Sequence, residues 1–203
     1  MTRKEQQAAA IRIAILEGAT RAFAAKGYED VTMADIAGAA GYSAPTLYNY
    51  FANKEAIVAA LHRHLMTEYA AVFDEPIPDG LSFAHKLEIL TLRQTDFAHR
   101  RREALAVMMS KVPGTGDCKH QQTLQHEIGQ LMGRWSAWIR AAARPEELCG
   151  RDPTDLAFLL WGLHHAVLIR DFVRSEAERC SPAEQARLIL DFFLHGLGPP
   201  EPA

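Results

Sequence analysis

The sequence predicts an all-α protein, with a small N-terminal three-helix unit followed by a larger C-terminal helical domain. Three observations predict it. Apolar residues recur at helical spacing, as in Ile11, Ile15, Ala19, Ala22 and Phe23, and no segment alternates apolar and polar residues over the length of a strand. Helix start signals recur too: a capping side chain with an acid three positions on, at Thr32–Asp35, Asp152–Asp155 and Ser181–Glu184. Breakers concentrate in short stretches, chiefly 75–80, 112–121 and 198–203.

Taken in order, the first helix ends at Gly27, where a positive φ carries no Cβ strain. Thr32 opens a short second helix with Ile36, Ala37 and Ala40 inward, and Gly41 stops it. Ser43 caps a third helix of about two turns, reaching Phe51, with Pro45 in its first turn where an amide hydrogen has no helical partner. Asn53 caps a fourth that runs through Ile57, Leu61 and Leu65 towards Phe73. Two helices joined by the tight Gly41-Tyr42 turn have the layout of a helix-turn-helix. Beyond the loop at 75–80, helices are expected at about 82–99, 101–111, 122–143, 153–177 and 182–196, with a loop at 112–121 and a frayed tail from Gly198. The expected division is 1–55 and 56–203.

Composition narrows the function classes. The chain has 203 residues, 48 % hydrophobic and 23 % charged, with 22 Lys+Arg against 25 Asp+Glu for a net charge of −3. Those values exclude a disordered or collagen-like chain. The N-terminus has no secretory apolar region, and the apolar run Ala157–Ile169 is too short to span a bilayer, so a cytoplasmic protein without a membrane partner is expected. Cys118, Cys149 and Cys180 are odd in number and widely spaced, which reads as reduced thiols. The nine histidines include no pair four apart on one helical face, and His62 and His64 point to different faces, so neither a metal nor any other cofactor is expected. No nucleophile elbow, phosphate loop or dinucleotide fingerprint is present; His99 with Asp96 and His164 with Asp171 are near only in sequence, and an enzyme is not expected.

The segments Thr32-Met-Ala-Asp-Ile-Ala, Gly41-Tyr-Ser-Ala-Pro-Thr-Leu-Tyr-Asn-Tyr-Phe51 and Asn53-Lys-Glu-Ala-Ile57 resemble, in that order, the TetR family of transcriptional regulators. The resemblance covers about residues 10–58. It implies a homodimer whose N-terminal helix-turn-helix binds double-stranded operator DNA and whose C-terminal helices bind a small effector and the partner subunit. Most members are repressors that their ligand releases. The family places DNA contacts at the positions matching Ser43, Ala44, Pro45, Thr46, Tyr48, Asn49, Tyr50 and Lys54.

The residues admit the same reading physically. Leu47 and Phe51, with Ala44, face inward, while Pro45, Thr46 and Asn49 face outward between Tyr48 and Tyr50. A recognition helix enters the major groove by its N-terminal part. Asn49 suits bidentate pairing with adenine, Thr46 and Pro45 suit a thymine methyl, and Tyr48, Tyr50 and Lys54 suit phosphates. Thr32 aims the N-terminus of the second helix at a phosphate. Thr32, Ser43 and Asn53 are equally good helix caps, so the ordered ensemble carries the argument. Residues 1–55 hold six Lys or Arg and six Asp or Glu, a neutral balance that predicts a modest salt dependence of DNA binding.

In the C-terminal domain, Leu156, Leu159, Leu160, Leu163 and Val167 form one stripe, and Ile189, Leu190, Phe193 and Leu197 continue it on the last helix as a candidate dimer interface. Phe97, Met108, Met109, Trp135, Trp138, Phe158, Trp161 and His165 are the candidate effector-pocket residues, suited to an apolar or aromatic ligand. Regulation by a protein partner, or none, is the alternative; an enclosed cavity would favour the small effector.

Overall fold

The computed structural model describes residues 2–109 and 118–196, the stretch 118–125 by its backbone alone. Among them every regular element is helical: α1 (Arg3–Lys26), α2 (Met33–Ala40), α3 (Ala44–Tyr48), α4 (Lys54–Ala71), α5 (Phe83–Arg100), α6 (Arg102–Met109), α7 (Cys118–Ala142), α8 (Pro153–Val173) and α9 (Pro182–His195), with 3₁₀ turns at Val72–Asp74, Pro145–Leu148 and Glu176–Glu178. Two compact units result. The first comprises Met1–Thr67 and Arg101–Thr115, the second Glu68–Arg100 and Gly116–Ala203, so the boundary falls inside α4.

In the first unit, α1 buries Ile15, Leu16, Gly18, Ala19, Ala22 and Phe23 against α2 and α6. Gly27 ends it with φ 79°. Gly41 closes α2 in the left-handed region, and the Tyr42 amide returns to the Ala37 carbonyl at 2.9 Å. This is the tight turn between α2 and α3. Leu47 is wholly buried and Phe51 nearly so, as the inward spacing predicts.

In the second unit, α5 packs on α9, α7 on α8, and α8 on α9. Polar ties fix its loops. Arg93 donates to the carbonyls of Glu75 and Pro76, both at 2.9 Å. Arg134 reaches the Ala70 carbonyl at 3.1 Å and the Asp74 carboxylate. Arg144 and the backbone amides of Arg144 and Phe83 hold the Glu147 carboxyl down to about 2.

Several boundaries differ from expectation. α3 stops at Tyr48 instead of Phe51, because the Tyr50 and Phe51 amides both turn back on the Leu47 carbonyl. α7 begins at Cys118 instead of 122; Cys-Lys-His-Gln contains no breaker. α8 stops at Val173 instead of 177, where Ser175 and Glu178 form a capping box of their own. α5 and α6 shift by a residue or two at their ends. The expected loop at 112–117, the tail from Gly198 and Leu197 lie outside the described residues. α8 is long and apolar enough to cross a membrane by length and composition, although it packs against α7 and α9 and buries Asp171.

Candidate nucleic-acid interface and aromatic core

The surface around α3 is built by three caps. Ser43 Oγ accepts the Thr46 amide at 3.3 Å and lies 2.8 Å from the Thr46 hydroxyl. Thr32 Oγ1 accepts the Asp35 amide at 3.1 Å while Asp35 accepts the Thr32 amide and hydroxyl at 2.9 and 2.7 Å. Asn53 Oδ1 accepts the Ala56 amide at 2.8 Å. On this frame Thr32, Ser43, Pro45, Tyr48 and Asn49 are exposed, Ala44, Thr46, Tyr50 and Lys54 half-buried. Tyr48 is 56 % exposed, which removes core packing as its explanation.

Two residues carry structural work beside any contact. Asn49 is not in mid-helix: it is the C-cap of α3, its amide shared between the Pro45 and Thr46 carbonyls, which gives an asparagine a local reason to be there. Its side chain is nevertheless outside the fold. Lys54 Nζ donates to the carbonyls of Tyr28 and Glu29 at 2.8 and 3.1 Å and sits 4.7 Å from the Tyr28 ring. An ammonium has three donors, so one remains for an anion.

The neutral charge balance is spent largely inside the unit. Arg12 lies 4.6 Å from the Phe51 ring and 3.4 Å from the Tyr50 carbonyl. Arg21 donates to the Ala39 carbonyl at 2.7 Å. Lys26 pairs with Asp35 at 2.6 Å and, with Thr32, holds that carboxyl far below its ordinary range. Burial, with the Glu55 carboxylate that accepts its hydroxyl at 3.0 Å, pushes Tyr28 up to about 12. Arg12, Arg21 and Tyr28 escaped the sequence reading, since their partners lie 38, 18 and 27 residues away.

In the second unit the rings form a chain: Phe97–Tyr69 at 5.5 Å, Tyr69–Phe73 at 5.9 Å, Phe73–Trp135 at 5.1 Å, and Trp135 to Trp138 and His164 at 6.5 and 5.6 Å. Of the expected pocket residues, Phe97, Trp135 and Trp138 join it. Trp161 pairs with His165 at 4.8 Å, away from that chain of contacts. Phe158 is half exposed, and Met108 and Met109 lie in the first unit. Tyr69, Phe73 and His164 take part without having been expected. Burial lowers His164 to about 4 and raises the Tyr69 hydroxyl well above its usual range. Of the expected dimer residues, Leu160 and Ile189 are enclosed, Leu156, Val167 and Leu190 buried, and Leu163 and Phe193 half-buried. The outward apolar surface is carried by Leu159, Ile169, Val173, Leu188 and Phe192. An open groove of about 260 Å³ runs between α8 and α9, lined by Leu163, Val167, Leu188 and Phe192 among others. A second, of about 470 Å³, opens between α5 and α9. Among the described residues no cluster of three His, Cys, Asp or Glu is placed to hold a metal ion.

Residues 15–61 match the family model described as bacterial regulatory proteins, tetR family. The chain is 29 % identical over 101 residues to the HTH-type transcriptional repressor KstR2 of Rhodococcus jostii, half of each chain. It is 31 % identical over 134 residues to the HTH-type transcriptional regulator TtgR of Pseudomonas putida, 62 % of each. The match thus spans between half and two thirds of these relatives. The fold is shared with the transcriptional regulator FadR of Bacillus subtilis in complex with stearoyl-CoA, with TM-score 0.72 and 16 % identity over 91 % of this chain and 98 % of that one. The capped helix-turn-helix and the matched residues agree: residues 15–61 carry the N-terminal segment of the tetR family of bacterial regulatory proteins, on an all-helical fold shared with solved regulators.

Proposed function

We propose that the protein is a homodimeric DNA-binding repressor that leaves a near-palindromic operator when a small apolar or aromatic effector binds its second unit. The observation that carries this reading is the outward face of α3, where Pro45, Tyr48 and Asn49 are exposed while Leu47 anchors the helix beneath. Thr32, Ser43, Ala44, Thr46, Tyr50 and Lys54 surround that face as positioning contacts. Residues 1–55 would act on DNA and 56–203 on effector and partner. Two such helices about 34–36 Å apart reach successive major grooves. α4 is covalently part of both units and is the proposed lever by which effector binding favours the DNA-free state. The relatives' printed roles as repressor and regulator, and the lipid-CoA complex of the fold relative, support the reading. The protein would work in the cytoplasm, with its DNA. Both surface grooves are open rather than enclosed, which favours control by a protein partner as the second reading.

The test is fluorescence anisotropy against the DNA flanking the gene, with random DNA as control, at two salt concentrations. Tight binding to one near-palindrome with a shallow salt slope is the expected result; equal binding to both DNAs would overturn the reading. Asn49→Ala should cost about 1–3 kcal/mol of operator binding and relax base preference at one position. An equal loss on every DNA would assign Asn49 to the backbone instead.

The dimer has its own test. Leu159 and Phe192 are 59 % and 50 % exposed. Replacing both by Asp should leave far-UV circular dichroism unchanged while sedimentation shifts from dimer to monomer, since two unpaired carboxylates cannot be desolvated in an apolar interface. A double variant that sediments as the wild type would place the interface elsewhere.

A further inference from the structure

The first unit holds one cation in a fixed place without consuming its donors. Lys26 is paired with Asp35 at 2.6 Å, and Arg21 donates to the Ala39 carbonyl at 2.7 Å. Lys54 donates to two carbonyls at 2.8 and 3.1 Å. Arg12 is different. It is exposed, its hydrogen bond to the Tyr50 carbonyl is 3.4 Å long, and among the described residues no carboxylate pairs with it.

The platform under Arg12 is rigid. The guanidinium carbon lies 4.6 Å from the centre of the Phe51 ring, and Phe51 is only 4 % exposed. The Tyr50 and Phe51 amides both donate to the Leu47 carbonyl, at 2.9 and 3.0 Å, so ring and carbonyl are set by the turn that ends α3. A guanidinium laid on an aromatic face is pre-organised, with its plane fixed and its edge presented. It has five N–H donors, and the Tyr50 carbonyl takes one.

Its position gives the remaining donors an object. A recognition helix reads bases with its N-terminal part, so its far end emerges at the sugar–phosphate backbone. The last carbonyls of a helix carry partial negative charge and repel a phosphate. Tyr50 lies two residues beyond the end of α3, and Arg12 covers its carbonyl with a cation.

We propose that Arg12 is a further DNA contact, its outer guanidinium edge binding a backbone phosphate beside the C-terminal end of α3. This rests on the DNA-binding reading above and extends the surface to α1, whereas the contacts expected from the resemblance lie on α2, α3 and the start of α4. A phosphate contact carries no base preference, so it acts on any duplex.

The test is anisotropy of the full chain on the DNA flanking the gene and on random DNA, across a salt series. Arg12→Met keeps an apolar stem over Phe51 and removes the charge. It should weaken binding to both duplexes about tenfold or more at low salt and flatten the log–log salt slope by about 0.9 per subunit. Arg12→Lys should keep the wild-type slope at reduced affinity, since it retains the charge without the planar fork. Arg21→Met, which removes a cation tied to the α2 carbonyl, should leave the slope unchanged. Far-UV circular dichroism of all three should match the wild type. An unmoved slope in Arg12→Met, a loss confined to one duplex, an equally flattened slope in Arg21→Met, or a slope that Lys does not restore would each overturn the proposal. Wild type that binds both duplexes alike sinks the repressor reading, while the slope difference still establishes the phosphate contact. Operator-selective wild type with an unmoved slope in Arg12→Met does the reverse.

Discussion

Gly18→Ala destabilises the first unit by about 2 kcal/mol, against the direction that helix propensity alone would give. Gly18 lies in the interior of α1, where Ala would ordinarily gain about 1 kcal/mol over Gly. Here a Cβ would stand 2.6 Å from Ala40 Cβ and 2.7 Å from the Ala40 Cα and nitrogen. The obstacle is mostly backbone, so α1 and α2 must separate. Ala40 is the last residue of α2, next to the Gly41 turn that sets the direction of α3. Separation therefore costs packing and also displaces the candidate recognition surface. Gly38, exposed in α2 with nothing within 4 Å of its missing Cβ, is the control. Gly38→Ala should stabilise by up to about 1 kcal/mol. Urea unfolding of both variants checks the pair. Two variants that move in the same direction would mean that the close approach of α1 and α2 is not what selects glycine at 18.

That close approach marks the limit of what the sequence discloses. Caps were legible because they are local: Thr32 with Asp35, Ser43, Asn53, and Ser181 with Glu184 each bond within three residues. The inward face of α3 was legible for the same reason. Gly18 was not, because its reason lies 22 positions away in Ala40. The aromatic core of the second unit was read only in part. α8 is apolar on more than one side, so periodicity could not choose which face is enclosed. Its enclosed face, Ala157, Leu160 and Val167, runs through His164 and Asp171, whereas the sequence reading favoured His165. Exposed Phe158 and Leu159 were divided between pocket and interface on the same ambiguous pattern. Met108 and Met109 were grouped with the C-terminal rings by position in the chain, yet α6 packs on α1.

His164 should make the second unit acid-sensitive well above the carboxylate range. Burial is the dominant cause of its depression from 6.5 to about 4, partly offset by the bond to the Leu160 carbonyl. The folded state therefore binds fewer protons than the unfolded chain between those two values. Stability follows the difference in bound protons, so the contribution is fully present above pH 6.5 and is lost as pH falls towards 4. At about 1.4 kcal/mol per unit, the loss is about 3 kcal/mol, a fall in Tm on the order of 10 °C. Glu147, Asp152, Glu178 and Glu184 are lowered from their ordinary values by hydrogen bonds and charges, so their contributions begin to be lost only at the acid end of the His164 window. His164→Phe removes the titrating ring and keeps its volume. Thermal melting at fixed protein concentration between pH 7 and 4 should show a steep Tm decline in the wild type and a shallow one in the variant. Parallel declines would mean that folding does not depress the His164 ring, and that the acid sensitivity comes from other groups.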